Sequence, residues 1–402
     1  MTVGKSGALL CAALTATLLL APAPSHAQIS DGVVRIGVLT DISGPYADGG
    51  GKGSVIAAEM AAKDMGGTVK GKPVEIIKAD HQNKADIAAE IARRWYDLEK
   101  VDAIVDLPIT AIALAVQGIA KEKTKTVMIT AAATSDLTAK TCTPTSTHWA
   151  DDTQALTAGT AKAIVEQGGK SWYFITVDHA FGQALQRDAT KVIEANGGKV
   201  LGASRHPIGA SDFSSLLVQA QASGADVIGL ASVGGDLINV IKQANEFRVN
   251  TGKQTLAGFL VYITDIHSLG LPVAKNFTFS AGFNWDQSDA SRAFAKRFYE
   301  AAKMMPTKNH AAVYSAVRHY LTAINSAGTD EPIAVAKAMR AAPLDHFGRP
   351  ASVREDGRVL YDLTLYKVKT PEESKAPWDY YKVLRQIPKA EAFLPMNDAC
   401  KM

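Results

Sequence analysis

Cysteine is scarce: the chain of 402 residues has three, and Cys11 lies within an N-terminal apolar run. The other two, Cys142 and Cys400, are too far apart in sequence for the close ligand spacing of a zinc site. In an exported chain they would meet an oxidising compartment, which favours one disulfide over two free thiols. The chain-entropy model gives a loop of this length a stabilisation of about 5 kcal/mol. We therefore predict a Cys142–Cys400 disulfide.

The sequence also lacks an excess of charge of one sign. Lys and Arg total 43 against 40 Asp and Glu, and the two signs are mixed along the chain. The longest basic run is Arg93-Arg94, and the predicted helix that carries it also contains Asp86 and Glu90. Such a surface offers no basic patch for a phosphate backbone. The composition therefore predicts that nucleic acid is not a partner.

Long apolar runs are absent except at the N-terminus. The run Ala8–Leu20 follows a single Lys and precedes the small residues of Ser25-His26-Ala27, the pattern of a signal peptide cleaved after Ala27. It is too short for a membrane-spanning helix, and Cys11 does not follow a small residue as in a lipoprotein. We predict that residues 1–27 are a signal peptide and that the chain is exported.

Common catalytic motifs are missing as well. The sequence contains no Gly-x-Ser-x-Gly elbow and no His-Glu-x-x-His pair, and its nine histidines are scattered. The stretch Gly49–Ser54 looks like a phosphate loop but fails in detail, because Gly53 follows Lys52 where Ser or Thr is required. A flexible loop before a helix explains it better. We predict no enzyme activity, no cofactor and no metal.

What the sequence does contain is an alternation of short apolar strands with amphipathic helices. Such repetition predicts the α/β class, with parallel sheets covered on both faces. The helix predicted at 151–167 restarts the pattern, and the 47% hydrophobic content supports a large core divided between two lobes. After residue 369 only a polar tail is predicted. The predicted strands are 33–39, 74–79, 103–105, 127–130, 171–177, 199–205, 227–230, 256–260, 277–283 and 363–369.

Four loops at the carboxyl ends of predicted strands are candidate ligand-binding loops, because open α/β sheets bind ligands there. They are 43–46, 106–110, 130–135 and 178–182, and small or hydroxyl residues dominate them. Free backbone N–H groups at helix starts suit a carboxylate. The alternative is that Thr110 and Thr134 are ordinary helix caps. Because the loops recur on strands of one polarity, we predict an anion-binding cleft.

In their order along the chain, four segments resemble the extracytoplasmic solute-binding proteins of ABC importers. The resemblance is to the branched-chain amino acid (leucine/isoleucine/valine-binding) group, whose relatives include aromatic-acid binders. It implies a periplasmic binding protein type I fold, or Venus flytrap: two Rossmann-like lobes joined by a three-strand hinge, with the ligand between them. The segments are IGVLTDISGPYADGGGKG (36–53), AIVDLPITAIALAV (103–116), MITAAATSDLT (128–138) and TVDHAFGQAL (176–185).

The resemblance also implies lobe boundaries and ligand contacts. Lobe 1 would comprise 28–150 and 282–358, and lobe 2 would comprise 151–281 and 359–402. The implied contacts are loop residues that hold a carboxylate and aromatic residues that stack on the ligand. They are Tyr46, Thr110, Ala111, Ala132, Thr134, Phe181, Gly234, Tyr262 and Trp285.

One departure from the family pattern bears on the ligand. Amino acid binders of the group present an acidic residue near the strand end at 258–262, where this chain has Gly-Phe-Leu-Val-Tyr. Asp265 is close, but it stands at a predicted helix start and is better explained as a cap. A buried ammonium without a carboxylate would cost several kcal/mol. The pattern favours a hydrophobic or aromatic carboxylate; the alternative is an aliphatic amino acid.

These inferences together predict a non-catalytic, monomeric periplasmic receptor. It would deliver a small carboxylate-bearing ligand, either a hydrophobic or aromatic acid or a branched-chain amino acid, to the membrane permease of an ABC importer. An alternative is a ligand-sensing domain that reports to a partner kinase or chemoreceptor. A hydrolase or transferase on the same scaffold is a further alternative, which fold class alone does not exclude.

Overall fold

The computed structural model describes residues 1–4, 29–249 and 254–402, so most of the predicted signal peptide lies outside the described residues. The described chain alternates strands and helices through its first two thirds, as the α/β prediction requires. The strands are β1 Val34–Thr40, β2 Thr68–Val69, β3 Lys72–Asp80, β4 Ala103–Asp106, β5 Thr126–Ile129, β6 Ser146–His148, β7 Ser171–Val177, β8 Lys199–His206, β9 Val227–Ala231, β10 Thr255–Gly258, β11 Thr278–Ala281, β12 Leu344–Asp345, β13 Pro350–Val353, β14 Val359–Leu360, β15 Leu363–Val368 and β16 Tyr381–Ile387.

The α-helices connect these strands and cover the sheets. Two short 3-10 helices, at Ser30–Gly32 and Ser135–Thr138, complete the regular structure of the described chain. The α-helices are α1 Gly51–Asp64, α2 Ala85–Asp97, α3 Thr110–Glu122, α4 Thr153–Glu166, α5 Ala180–Ala195, α6 Ser214–Ala222, α7 Gly234–Glu246, α8 Ile263–Leu269, α9 Leu271–Ala274, α10 Asp289–Ala302, α11 Lys308–Ala327, α12 Pro332–Ala341 and α13 Lys389–Ala392.

Two parallel sheets form the framework. The first has the order β2-β3-β1-β4-β5-β6, and all its strand pairs are parallel except β2 with β3. The second has the order β10-β9-β7-β8 and is parallel throughout. Their central strands are buried on both faces, which explains why β4 and β9 are short, continuous apolar runs rather than alternating ones. The predicted α/β class is confirmed.

A third, antiparallel sheet has the order β11-β15-β16. Its strand β16 corrects the sequence prediction of an irregular polar tail. The sequence does not predict this strand because only Ile387 at its end is buried, while Lys382, Val383 and Leu384 are exposed. An edge strand with little buried surface carries no apolar alternation for sequence analysis to detect.

Three connections run between the first sheet and the other two, and Asp151 ties them together. Its carboxylate accepts a hydrogen bond from the Gly282 backbone N–H at 3.1 Å and another from the Tyr361 hydroxyl at 3.0 Å. Lys308 forms an ion pair with the same carboxylate at 3.1 Å. Although burial alone would raise the pKa of Asp151, the Lys308 ammonium and these hydrogen bonds hold it below the ordinary value. All three connections therefore converge on one buried anion.

Buried Arg358 makes a second junction beside the first. Its Nη1 donates to His148 Nδ1 at 2.8 Å and lies 3.4 Å from the Asp152 carboxylate, while Nη2 donates to the Ala150 carbonyl. Arg358 is only 1% exposed. Its Nε also donates to the Val359 carbonyl at 3.1 Å, so four acceptors surround the buried guanidinium. The first and third connections are thus held together by charge as well as by packing.

The structure confirms the predicted disulfide. Cys142 and Cys400 are joined across 258 residues of sequence, and their Cα atoms lie 5.5 Å apart. Cys142 follows β5 in the first sheet, whereas the tail that ends in Cys400 leaves α13, which packs on α4. The bond therefore fastens the C-terminal tail to the side of the first sheet.

Membrane-spanning helices and metal-binding clusters are both absent from the described residues. No helix in this part of the chain has both the length and the apolar character that crossing a bilayer requires. No cluster of three or more His, Cys, Asp or Glu residues suited to a metal ion occurs within the same residues.

Candidate ligand-binding cleft

A narrow cavity lies where the carboxyl ends of the two parallel sheets face each other. This is the position at which open α/β sheets bind ligands. Loops after β1, β4 and β5 approach it from the first sheet, and loops after β7, β9 and β10 approach it from the second. The lining residues are Tyr46, Pro108, Ile109, Thr110, Ala131, Ala133, His179, Phe181, Val233, Leu260, Tyr262 and Asn309.

The cavity is closed on both sides. Tyr46 and Tyr262 are each 6% exposed and Phe181 is 4% exposed. Contacts cross the cleft: the Asn309 Nδ2 amide donates to the Tyr262 hydroxyl at 2.9 Å, and a Cβ added to Gly49 would lie 2.8 Å from the Tyr262 ring. Because these residues come from different sheets, the structure shows the two halves pressed together.

Glycines 49–51 are buried, so this stretch is not the flexible loop that the sequence predicts. The Thr307 hydroxyl donates to the Gly49 carbonyl at 2.7 Å, and His310 Nε2 donates to the Gly50 carbonyl at 2.9 Å. These bonds come from the start of α11, which packs along α1. The absence of side chains allows this close approach.

Three polar atoms at the cavity have no hydrogen-bond partner among the described residues: the Tyr46 hydroxyl, Thr110 Oγ1 and His179 Nε2. All three are buried. Burial, assisted by Asp236 and Asp41, raises the pKa of Tyr46, so its hydroxyl stays protonated. Buried polar atoms are nearly always paired in native proteins. Unpaired donors that face one cavity therefore indicate where a polar ligand group would lie.

Four predicted contacts come together at the cavity: Tyr46, Thr110, Phe181 and Tyr262. Thr110 is not a helix cap, since residue 109 holds that position and Thr110 begins the helix. Its hydroxyl is therefore available. This favours the ligand-binding alternative for Thr110.

Thr134 behaves differently from Thr110. Its hydroxyl accepts a hydrogen bond from the Asp136 N–H at 3.3 Å and caps the 3-10 helix, as the alternative interpretation proposed. Ala132 is engaged too, since its N–H donates to the Leu107 carbonyl and its own carbonyl accepts from His148 Nε2. Neither residue is part of the cavity lining.

The remaining three predicted contacts lie outside the lining. Ala111 is exposed in the first turn of α3. The Trp285 indole N–H donates to the Trp378 carbonyl at 3.0 Å, and its partly buried ring packs against the hydrophobic core beside the first sheet. Gly234 has φ of +58°, and an added Cβ would lie 3.2 Å from the Tyr46 ring. The Tyr46 ring therefore packs against Gly234, where a side chain would crowd it.

Sequence reasoning missed His179 and Asn309 as lining residues. His179 stands in the loop 178–182, which the sequence did single out, but its ring nitrogens could not be assigned without the structure. No feature of the sequence indicated that Asn309 would line the cavity. It reaches the cleft only because α11 packs along α1, a long-range contact that local sequence does not encode.

The cavity carries no acidic group. None of the described residues that line it is Asp, Glu, Lys or Arg. Asp265 is a helix cap as predicted: its carboxylate accepts a hydrogen bond from the Tyr262 backbone N–H at 2.9 Å within a capping box. Burial raises the pKa of Asp265 from 3.8 to about 7. Its hydrogen bond holds this carboxyl group against the Tyr262 backbone, and Asp265 is not part of the cavity lining.

The pKa of Asp265 predicts a pH effect on stability. The folded chain keeps this proton up to about pH 7, whereas an unfolded Asp releases it near pH 3.8. The folded state then binds more protons between pH 4 and pH 7, so this group's contribution to stability is present below that window and is lost as pH rises through it. Asp265→Asn keeps the acceptor and does not ionise. We expect the variant to gain stability relative to wild type between pH 5 and pH 8 in urea titrations; an equal difference at both pH values would contradict this.

Comparison with known proteins agrees with the geometry. Residues 33–375 match the periplasmic binding protein family, and the chain therefore belongs to that family. A periplasmic binding protein from Burkholderia mallei is 45% identical in sequence and superposes with a TM-score of 0.89. The match covers 90% of this chain and 96% of that protein. A branched-chain amino acid ABC transporter periplasmic ligand-binding protein from Burkholderia xenovorans LB400 is 38% identical, covers 90% and 97%, and has a TM-score of 0.81.

Proteins of lower sequence identity also match this chain. An ABC transporter solute binding protein from R. palustris, in complex with benzoate, shares the fold at 20% identity, with a TM-score of 0.80 and coverage of 89% and 97%. The chain spans about half the length of the curated relatives that it matches, Leu/Ile/Val-binding protein homologs of Brucella, at 27% identity over 219 residues. The family and these neighbours are ligand-binding proteins and not enzymes, as the sequence predicted. The predicted type I fold of two lobes is also confirmed.

Proposed function

We propose that this protein is the periplasmic receptor of an ABC importer for a small hydrophobic or aromatic carboxylate that has no ammonium group. The observation that carries the proposal is the composition of the cavity: hydrogen-bond donors and aromatic rings without a single acidic residue. Tyr46, Phe181 and Tyr262 offer flat apolar surface for a ring. Thr110 and the Tyr46 hydroxyl offer donors for a carboxylate.

The carboxylate would lie against the loops of the first sheet. Thr110 Oγ1 is buried without a partner there, and the backbone N–H of Ala133, another lining residue, has no acceptor in the described chain. Hydrogen bonds to an ionised group contribute about 1.5–3 kcal/mol each. A neutral pocket of donors can thus hold a carboxylate without a salt bridge.

An amino acid ligand fits the same cavity poorly. Its ammonium needs acceptors, but no carboxyl group is found among the described residues that line the cavity, and that of Asp265 faces the Tyr262 backbone. Burying an unpaired ammonium costs several kcal/mol even after relaxation. The proposal therefore departs from the ligand named for the Burkholderia xenovorans protein.

Transport would follow from closure of the two halves on the ligand. We propose the lobes as 28–150 with 282–358 and 151–281 with 359–402, and the three connections near Asp151 as the hinge. Closure is driven only by the difference in ligand affinity between open and closed states. The closed monomer would then dock on the membrane permease. The signal peptide would be cleaved after Ala27 during export, in residues that lie outside the described structure.

Titration calorimetry of unfolded and refolded protein, which removes any ligand carried through purification, tests the proposal. We expect binding of benzoate-type acids and no response to leucine. In thermal unfolding, a ligand at one hundred times its Kd should add about 2.7 kcal/mol of stability. Tight binding of leucine without any response to aromatic acids would overturn the proposal in favour of a branched-chain amino acid receptor.

A matched pair of variants tests the site itself. Thr110→Val removes one donor while it keeps the side-chain shape, so affinity for the acid should fall by roughly tenfold or more. Thr143→Val is the control, because Thr143 also has a buried hydroxyl without a partner but lies outside the cavity. Equal losses in both variants would show that Thr110 does not contact the ligand.

A further inference from the structure

His179 enters the cavity from the side of the second sheet. It directly follows β7 as the N-cap of α5, and its ring lies 5.9 Å from the Phe181 ring, centroid to centroid. Its Nε2 atom is buried and has no partner among the described residues. The atom thus lies in a wall that Phe181, Val233, Leu260 and Tyr262 also form.

The hydrogen bonding of the ring fixes what Nε2 can do. The Phe181 backbone N–H donates to His179 Nδ1 at 3.2 Å, so Nδ1 is an acceptor and carries no proton. Burial, with His206 nearby, lowers the pKa of His179 to about 4, and the ring is neutral at ordinary pH. A neutral imidazole without a proton on Nδ1 has it on Nε2. Nε2 is therefore a donor and not an acceptor.

The cavity thus presents donors from two directions. Thr110 stands after β4 of the first sheet, and His179 stands after β7 of the second. A carboxylate bound at the first-sheet loops leaves the His179 N–H to another part of the ligand. Only an acceptor can satisfy it, because an ammonium there would set donor against donor.

We propose that His179 selects a ligand that carries a second hydrogen-bond acceptor apart from its carboxylate, that is, a hydroxy- or oxo-substituted aromatic acid. This inference rests on the proposed function and specifies its ligand class. A ligand without the second acceptor would leave the buried N–H unpaired, a loss of roughly tenfold or more in affinity.

The test compares benzoate with the three monohydroxybenzoates by calorimetry. Wild-type protein should bind at least one hydroxybenzoate about tenfold or more tightly than benzoate. His179→Phe removes the donor and keeps a ring, so the ratio of hydroxybenzoate affinity to benzoate affinity should fall to about one. His179→Gln restores a donor near the position of Nε2 and should recover part of the preference.

A matched control exists outside the cavity. His81 has the same arrangement, with Nδ1 accepting from the Asn83 N–H at 3.1 Å and a buried, unpaired Nε2, but it does not line the cleft. His81→Phe should therefore leave the hydroxybenzoate preference intact. This control separates a contact with the ligand from a general effect of losing a buried histidine.

The outcomes are distinct. Equal affinity of the wild type for benzoate and every hydroxybenzoate would overturn the role of His179, whether or not the variants fold. Retention of the preference in folded His179→Phe would overturn it as well. Failure of the wild type to bind any of the four acids would instead overturn the proposed function. Loss of the preference in His179→Phe alone, with partial recovery in His179→Gln, supports the inference.

Discussion

Asp151→Asn should lower the free energy of unfolding by about 3–5 kcal/mol, because it leaves the Lys308 ammonium without its counter-charge. The Lys308 side chain is 7% exposed, so water screens it little. The new amide must also face two donors, the Gly282 N–H and the Tyr361 hydroxyl, with one acceptor instead of two. Urea unfolding of the two proteins at pH 7 measures the difference.

The double variant Asp151→Asn with Lys308→Met is the appropriate control. Removal of both charges leaves no unpaired ion, so the double variant should be more stable than Asp151→Asn alone. If the loss in free energy of unfolding of the double variant equals the sum of the losses of Asp151→Asn and Lys308→Met, the two charges do not interact. That result would contradict the prediction.

Gly182→Ala should have the second large effect, on both stability and binding. A Cβ at this position would lie 2.1 Å from the Val177 carbonyl oxygen, a backbone atom of β7 that cannot rotate away. The start of α5 must move, at a cost of roughly 3 kcal/mol. That movement also displaces Phe181 and His179, so affinity for the acid should fall. Thermal unfolding and calorimetry measure the two effects.

Gly118→Ala provides the matched comparison. Gly118 lies within α3, and an added Cβ there would meet no atom within 4 Å. Alanine favours a helix over glycine by about 1 kcal/mol, so this variant should be more stable than wild type. A similar loss in both variants would show that crowding against Val177 is not the cause.

Much of the fold could be predicted because its strands are buried on both faces. β7 is a continuous run of apolar and β-branched residues, and its predicted bounds, 171–177, are those of the structure. β6 and β16 were not predicted. β6 has three residues, and β16 is mostly exposed, so neither presents an apolar pattern that differs from a loop.

The site was predictable to the extent that loops at strand ends are. Strand order placed Tyr46 and Thr110 at one edge of the first sheet, because parallel strands end at the same edge, whereas Phe181 of the second sheet was added by the family resemblance. The sequence could not separate the available hydroxyl of Thr110 from that of Thr134, since a cap and a ligand contact require the same residue type. The Asn309 contact depends on how α11 lies along α1, which only packing determines.

The Cys142–Cys400 bond has a consequence for the maturation of the protein. Its two sulfurs are separated by 258 residues that include the whole of the second parallel sheet. The bond cannot form until this entire stretch has left the ribosome and, in an exported chain, has been delivered to an oxidising compartment. If the first sheet folds before Cys400 arrives, Cys142 remains a free thiol until then. The oxidised bond therefore marks a chain whose second half has arrived and folded.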